Sequence, residues 1–87
     1  YLSLEQDDRD YSNKAMQEAL EKYPSNTTYY WKNPNTGNSG YITPSNIFVS
    51  KGKFCRRYLH EVNINGVKVN ENNTACKLQG EKWIIGD

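Results

Sequence analysis

Residues 53–77 read KFCRRYLHEVNINGVKVNENNTACK, and the Asn65-Gly66 pair in the middle decides how the rest of the chain folds. Asn-Gly between two β-rich arms is the strongest short signal for a two-residue hairpin, because a type I′ turn needs positive φ at both central residues. In that hairpin Ile64 faces Val67, and counting outward in step along the two arms brings Cys55 opposite Cys76. Alternation from the hydrogen-bonded pair beside the turn puts the cysteines on a non-hydrogen-bonded site, where facing side chains approach most closely. A disulfide between Cys55 and Cys76 is therefore expected, closing a loop of about 20 residues and stabilising the fold by on the order of 3 kcal/mol. One β-bulge in either arm would shift the register, with two free buried thiols as the alternative. A single histidine and no Cys-x-x-Cys spacing speak against a metal site.

Outside the hairpin, Lys51-Gly52 and Gly80-Glu81 are further turns. Carrying the register across both puts Phe48, Cys55, Cys76 and Ile85 in one row of a sheet face, with Leu78 and Trp83 beside it. The opposite face then carries Val49, Phe54 and Ile84, with Tyr58 further along. A sheet apolar on both faces needs two covers. One is a helix at the N-terminal end; the other is the aromatic hairpin made by residues 27–32, the turn Asn33-Pro34-Asn35-Thr36-Gly37-Asn38 and Tyr41-Ile42-Thr43, folded back after Pro44. Toward Asn65-Gly66 the ribbon becomes one-sided: Val62, Ile64, Val67 and Val69 share a face, and Glu61, Asn63, Lys68 and Asn70 share the other. This end is expected to project and to offer an oligomer or partner surface, unless the helix covers it.

Ser3 followed by Gln6 reads as a capping box, and the segment over residues 4–23 has no Gly or Pro, which predicts a helix. At 100° per residue, Leu4, Tyr11, Ala15, Met16, Ala19, Leu20 and Tyr23 occupy about half of the helical circumference. Asp8 falls inside this apolar arc, where a carboxylate needs a partner. Arg56, on the Val49 and Phe54 face, is the expected partner in a structural ion pair. The fold class is thus α+β: a single domain over residues 1–87, with a helix at about 4–23 packed on an antiparallel meander of about five or six strands over about 27–86.

A net charge of +1, with 11 Lys plus Arg against 10 Asp plus Glu, excludes a nucleic-acid partner, and Arg56-Arg57-Tyr58 is no exception without a wider basic field. No apolar run reaches the roughly 18 residues that cross a bilayer, and no signal peptide is present. The chain starts at Tyr1, not Met, which points to an upstream segment that was cleaved or left out. Seven tyrosines and many asparagines suit an exposed β-domain. Tyr29, Tyr30, Trp31, Tyr41 and Trp83 are candidates for an aromatic platform for glycan or peptide, with a place in the core as the plainer reading. His60 faces Glu71 in the register, an ordinary cross-strand polar pair that also resembles an oriented acid-base group. A small cell-wall or glycan hydrolase using His60, Asp8 or Glu61 is therefore the enzymatic alternative, and it requires a cleft joining those groups.

Several ordered blocks carry a resemblance: Gln6-Asp7-Asp8-Arg9, Ala19-Leu20-Glu21, Trp31-Lys32-Asn33-Pro34-Asn35-Thr36-Gly37, Gly40-Tyr41-Ile42-Thr43-Pro44, Cys55-Arg56-Arg57-Tyr58, Ala75-Cys76-Lys77 and Gly80-Glu81-Lys82-Trp83. Together they resemble the C-terminal domain of the rickettsial 17-kilodalton surface antigen family over nearly the whole chain. Similar proteins are envelope lipoproteins of Gram-negative bacteria, with a lipidated signal peptide and a glycine-rich membrane-associated stretch before this domain. The resemblance implies a non-catalytic module with no cofactor, tied to the outer membrane by a lipid anchor outside this segment, on its periplasmic side or at the cell surface. Its partners would be an envelope protein, a glycan or a host protein. The chain departs from the family at residues 69–74, where similar proteins carry a Gly before the Ala-Cys pair, so the backbone of that strand is the part least covered by the likeness.

Overall fold

The computed structural model describes residues 6–85; the Ser3 cap, Leu4 and the sheet residue expected at 86 lie outside them. Helix α1 runs from Gln6 to Lys22 and is followed by β1 (Tyr29–Lys32), β2 (Ser39–Ser50), β3 (Lys53–Ile64), β4 (Val67–Lys77) and β5 (Ile84–Ile85). The strands form one antiparallel sheet in the order β1-β2-β3-β4-β5, so each pairs with its neighbour in sequence. This is the expected α+β arrangement, a helix on a meander.

The β3–β4 hairpin keeps its register from Ile64 opposite Val67 to Cys55 opposite Cys76 without a slip. Asn65 (φ 51°) and Gly66 (φ 82°) supply the two left-handed residues the turn needs. Cys55 and Cys76 are joined in a disulfide, with an S–S distance of 2.07 Å.

Three expectations about the sheet are corrected. First, the aromatic hairpin does not fold back as a second cover. β1 pairs with β2 in the plane of the sheet, and β2 continues as one strand through Pro44 with a bulge between Pro44 and Ile47. The proline, which has no N–H to give, sits where the ladder is already broken, and its carbonyl accepts the Asn26 N–H at 2.8 Å. Second, β5 is displaced by one residue: Ile84 stands opposite Cys76 and Ile85 opposite Ala75. Trp83 causes the shift. Gln17 on α1 holds its backbone from both sides, Nε2 donating to Trp83 O at 2.7 Å and Oε1 accepting Trp83 N–H at 2.9 Å, and draws the indole into the core. Third, the Asn65-Gly66 end is not the bare one. Val62 is 1% exposed, Ile64 and Val69 pack against the core beneath the helix, and only Val67 of that stripe is open to solvent.

The helix buries Asp8, Ser12, Ala15, Met16, Ala19 and Leu20, whose spacing traces one narrow stripe. Tyr11, expected in the apolar arc, is exposed at the edge of this stripe. Against it lie Trp31, Ile42, Tyr58, Val62, Ala75 and Trp83. Leu20 and Ile42 are fully enclosed, each contributing about 2 kcal/mol by burial.

Arg56 does not pair with Asp8. Its Nη1 donates to Leu20 O and Tyr23 O at 2.8 Å each, and its Nε to Ser45 O at 2.8 Å. The last carbonyls of a helix have no intrahelical partner and form the negative end of its dipole, so a guanidinium reaching up from β3 both caps and neutralises α1. The same side chain fastens the bulge of β2 to the helix end. Burial lowers the pKa of Arg56, yet a guanidinium stays charged in proteins.

Candidate functional site

Alternation along β3 sorts its side chains onto two faces. Arg56, Tyr58, His60 and Val62 are buried on the helix side, while Arg57, Leu59, Glu61 and Asn63 stand on the other face, which no element among the described residues covers. On β1, Trp31 turns inward and Tyr30 outward. The aromatic platform proposed from the sequence is therefore divided: Trp31 and Trp83 are core, Tyr29 packs against the core, and Tyr30 and Tyr41 remain outside.

Beneath the helix, Trp31 Nε1 donates to His60 Nε2 at 3.0 Å. Gly40 opposite Trp31 makes this possible, because a Cβ there would fall 2.5 Å from the indole Nε1 and 2.9 Å from Glu61 O. Burial pushes the His60 pKa down to about 4. Protonating Nε2 would also place a hydrogen where the indole N–H already points. His60 stands opposite Glu71 as expected, but it is a neutral acceptor locked in the core.

Asp8 is fully buried and held by neutral donors: Thr36 Oγ1 at 2.6 Å, Asn38 Nδ2 at 2.9 Å and Asn33 Nδ2 at 2.9 Å. Neighbouring Asp7 accepts from Asn33 Nδ2 at 2.9 Å and Asn35 Nδ2 at 3.0 Å. Burial raises the Asp8 pKa, and the hydrogen bonds from Thr36, Asn38 and Asn33 more than offset it, leaving the carboxyl below its ordinary value. The 33–38 loop is thus a clamp that closes on the first turn of α1. It is tied on its other side to the Asn65-Gly66 turn through Asn65 N–H to Asn38 Oδ1 at 3.0 Å. Reading the chain for sheet faces missed these four loop residues. The signal for them was present in the amide-rich run Asn33, Asn35, Asn38 set against the paired carboxylates Asp7-Asp8.

Three groups considered for hydrolysis are consequently not gathered in one place. His60 is bonded to Trp31 in the core, Asp8 is engaged by the loop, and Glu61, the residue after His60, stands on the other face of the sheet. Among the described residues, no group of three or more His, Cys, Asp or Glu is placed to hold a metal ion.

The uncovered face holds the remaining candidates. Tyr30 and Tyr41 face each other across β1 and β2 with ring centroids 5.0 Å apart and planes tilted by 46°, and they are 50% and 48% exposed. Beside them Glu61 stands opposite Tyr41, and Asn63 opposite Lys68. These residues and Thr28 line a shallow depression of about 480 Å³. No hydrogen bond to another described residue engages the side chains of Glu61, Asn63 or Lys68, whereas Thr28 and Thr43 bond each other at 2.9 Å on its margin. The chemistry offered is a pair of aromatic faces beside a carboxylate, an amide and an ammonium, which suits recognition of a polar surface.

Residues 18–84 match the sequence pattern of the 17 kDa outer membrane surface antigen family. The chain is 36% identical over 83 residues to the 17 kDa surface antigen of Rickettsia felis, covering 94% of this chain and 52% of that protein. Over the same span it is 35% identical to the 17 kDa surface antigen of Rickettsia conorii and 33% identical to that of Rickettsia bellii. The chain therefore spans about half the length of the curated relatives it matches. No solved structure matches it. The helix on a five-stranded disulfide-stapled meander is thus carried by a sequence that belongs to the 17 kDa outer membrane surface antigen family.

Proposed function

We propose that this chain is the non-catalytic display domain of an outer-membrane surface antigen, held at the envelope by a lipid anchor outside these 87 residues. It acts by contact: the uncovered face of the sheet meets another envelope component or a host component. The observation that carries this reading is the Tyr30–Tyr41 pair. Two large amphipathic side chains stand half exposed beside Glu61, Asn63 and Lys68, whose polar ends have no partner among the described residues. Large exposed aromatics next to uncommitted polar groups are the usual anchors of an interface. The family name supports the surface address.

The test is saturable binding of the labelled chain to isolated outer envelope and host-cell membrane fractions. Unlabelled parent should compete with it, and a Tyr30→Ala/Tyr41→Ala variant should compete at least about tenfold less well. Equal competition by parent and variant would show that the open face is not the contact surface.

A further inference from the structure

The end of the sheet opposite Asn65-Gly66 reaches past the helix. There the β2–β3 hairpin carries Ile47 (55% exposed) and Val49 (68% exposed) on the helix side beyond the last turn of α1, with Phe54 beside them. On the other side stands Phe48, also exposed, with the Arg57 guanidinium 5.6 Å above its ring. The turn between the strands is Lys51-Gly52, both left-handed at φ 52° and 78°, with Lys53 following. The equivalent left-handed position in the other hairpin is Asn65, the residue type that tolerates this conformation well. A lysine at 51 is the conformationally less favourable choice, and what it adds is charge at the tip.

We infer that this hairpin tip docks into the interfacial region of an anionic phospholipid surface, with Phe48, Val49 and Phe54 entering the headgroup boundary and Lys51 and Lys53 meeting lipid phosphates. Two features favour lipid over a protein partner or a second copy of the chain. A folded partner would cover one face of the ribbon, whereas the apolar side chains project from both, and a fluid interface surrounds both at once. The cations sit at the extreme tip, ahead of the apolar side chains, and their long stems let the ammonium groups reach back to lipid phosphates as the tip enters an anionic surface. Beyond its bulge the outer edge of β2 pairs with no strand among the described residues, which limits the depth, since unpaired N–H and C=O groups cannot enter hydrocarbon but are satisfied in the hydrated headgroup layer. This tip lies at the other end of β2 and β3 from the Tyr30–Tyr41 pair, Phe48 sharing their face of the sheet, and the inference does not depend on the reading given to that pair.

The test is co-sedimentation of the 87-residue chain with protein-free vesicles, either phosphatidylglycerol mixed with phosphatidylethanolamine or phosphatidylcholine alone. The chain is expected to partition onto the anionic vesicles and to lose at least about tenfold in partitioning with Phe48→Asp/Val49→Asp. Lys51→Glu/Lys53→Glu, which leaves every apolar contact in place, should abolish the preference for anionic lipid and its salt sensitivity. Tyr30→Ala/Tyr41→Ala and Val67→Asp should bind as the parent does, which separates this proposal from that of the open face. Retained circular dichroism and an intact disulfide qualify each variant. Absence of partitioning by the parent, equal partitioning onto both vesicle types, or unchanged binding by Phe48→Asp/Val49→Asp would overturn the inference. So would a parent that self-associates without lipid and is made monomeric by that variant, since the tip would then be an interface between copies.

Discussion

Lowering the pH tests the buried histidine directly. His60 has an ordinary pKa of 6.5 when the chain is unfolded and about 4 in the fold. Its folded value is depressed, so the unfolded chain binds the proton more readily. The stability this group contributes is therefore fully present above pH 6.5 and is lost as the pH falls toward 4. The whole window amounts to about 3 kcal/mol, and about 2 kcal/mol of it is gone at pH 5. Asp8, whose ordinary value is 3.8, titrates below this range, so the two effects separate. Urea unfolding followed by tryptophan fluorescence at fixed ionic strength should show the midpoint falling by roughly 1–2 M between pH 7 and pH 5. His60→Gln retains an acceptor for Trp31 Nε1 and has nothing to titrate, so its midpoint should stay level over that interval. In NMR spectra the imidazole C–H signals of the folded parent should not move between pH 7 and pH 5. A histidine titrating near 6.5 in the folded protein, or equal losses in parent and variant, would refute the reasoning.

Asp8→Asn removes the charge that Thr36, Asn33 and Asn38 all address and sets an amide N–H₂ against their donors; the expected loss is about 2–3 kcal/mol, read from denaturant midpoints at neutral pH, and a change below about 0.5 kcal/mol would contradict the clamp. In the parent the contribution of that carboxylate should disappear only in the acid limb, as the pH drops through its lowered folded value. Reduction of Cys55–Cys76, or Cys55→Ala/Cys76→Ala, opens a loop with a sequence separation of 21 and should cost about 3 kcal/mol in the same assay, an expectation that an unchanged midpoint in reductant would sink.

Much of the sheet was legible because local chemistry set it. A two-residue turn at Asn65-Gly66 permits one register, and that register alone brings the sulfurs together. What was not legible came from contacts between residues far apart in sequence. Trp83 leaves the turn-determined register because Gln17, 66 positions earlier, grips its backbone. The phase of β1 was hidden because Tyr29, Tyr30 and Trp31 are aromatic on both faces; the decision lay in Gly40, whose missing side chain admits the indole of Trp31 and not the ring of Tyr30. Arg56 was placed on the correct face of β3, but face assignment cannot tell a carboxylate from the orphan carbonyls of a helix end, and those carbonyls have it. The candidate site fared similarly. Tyr30 and Tyr41 could be named from the sequence, yet their separation from Trp31 and Trp83 needed the helix in place.

The meander also has a bearing on how the molecule assembles. Every pair of adjacent strands is adjacent in sequence, so each hairpin closes over a short loop and the sheet can grow edge by edge without distant segments having to find each other. The contacts of α1 are the ones that close long loops, with Gln17 on Trp83 and Glu21 on Lys77 spanning 66 and 56 positions. The helix precedes in sequence every strand it rests on, so its seat exists only once those strands are paired, as a lid needs its tray.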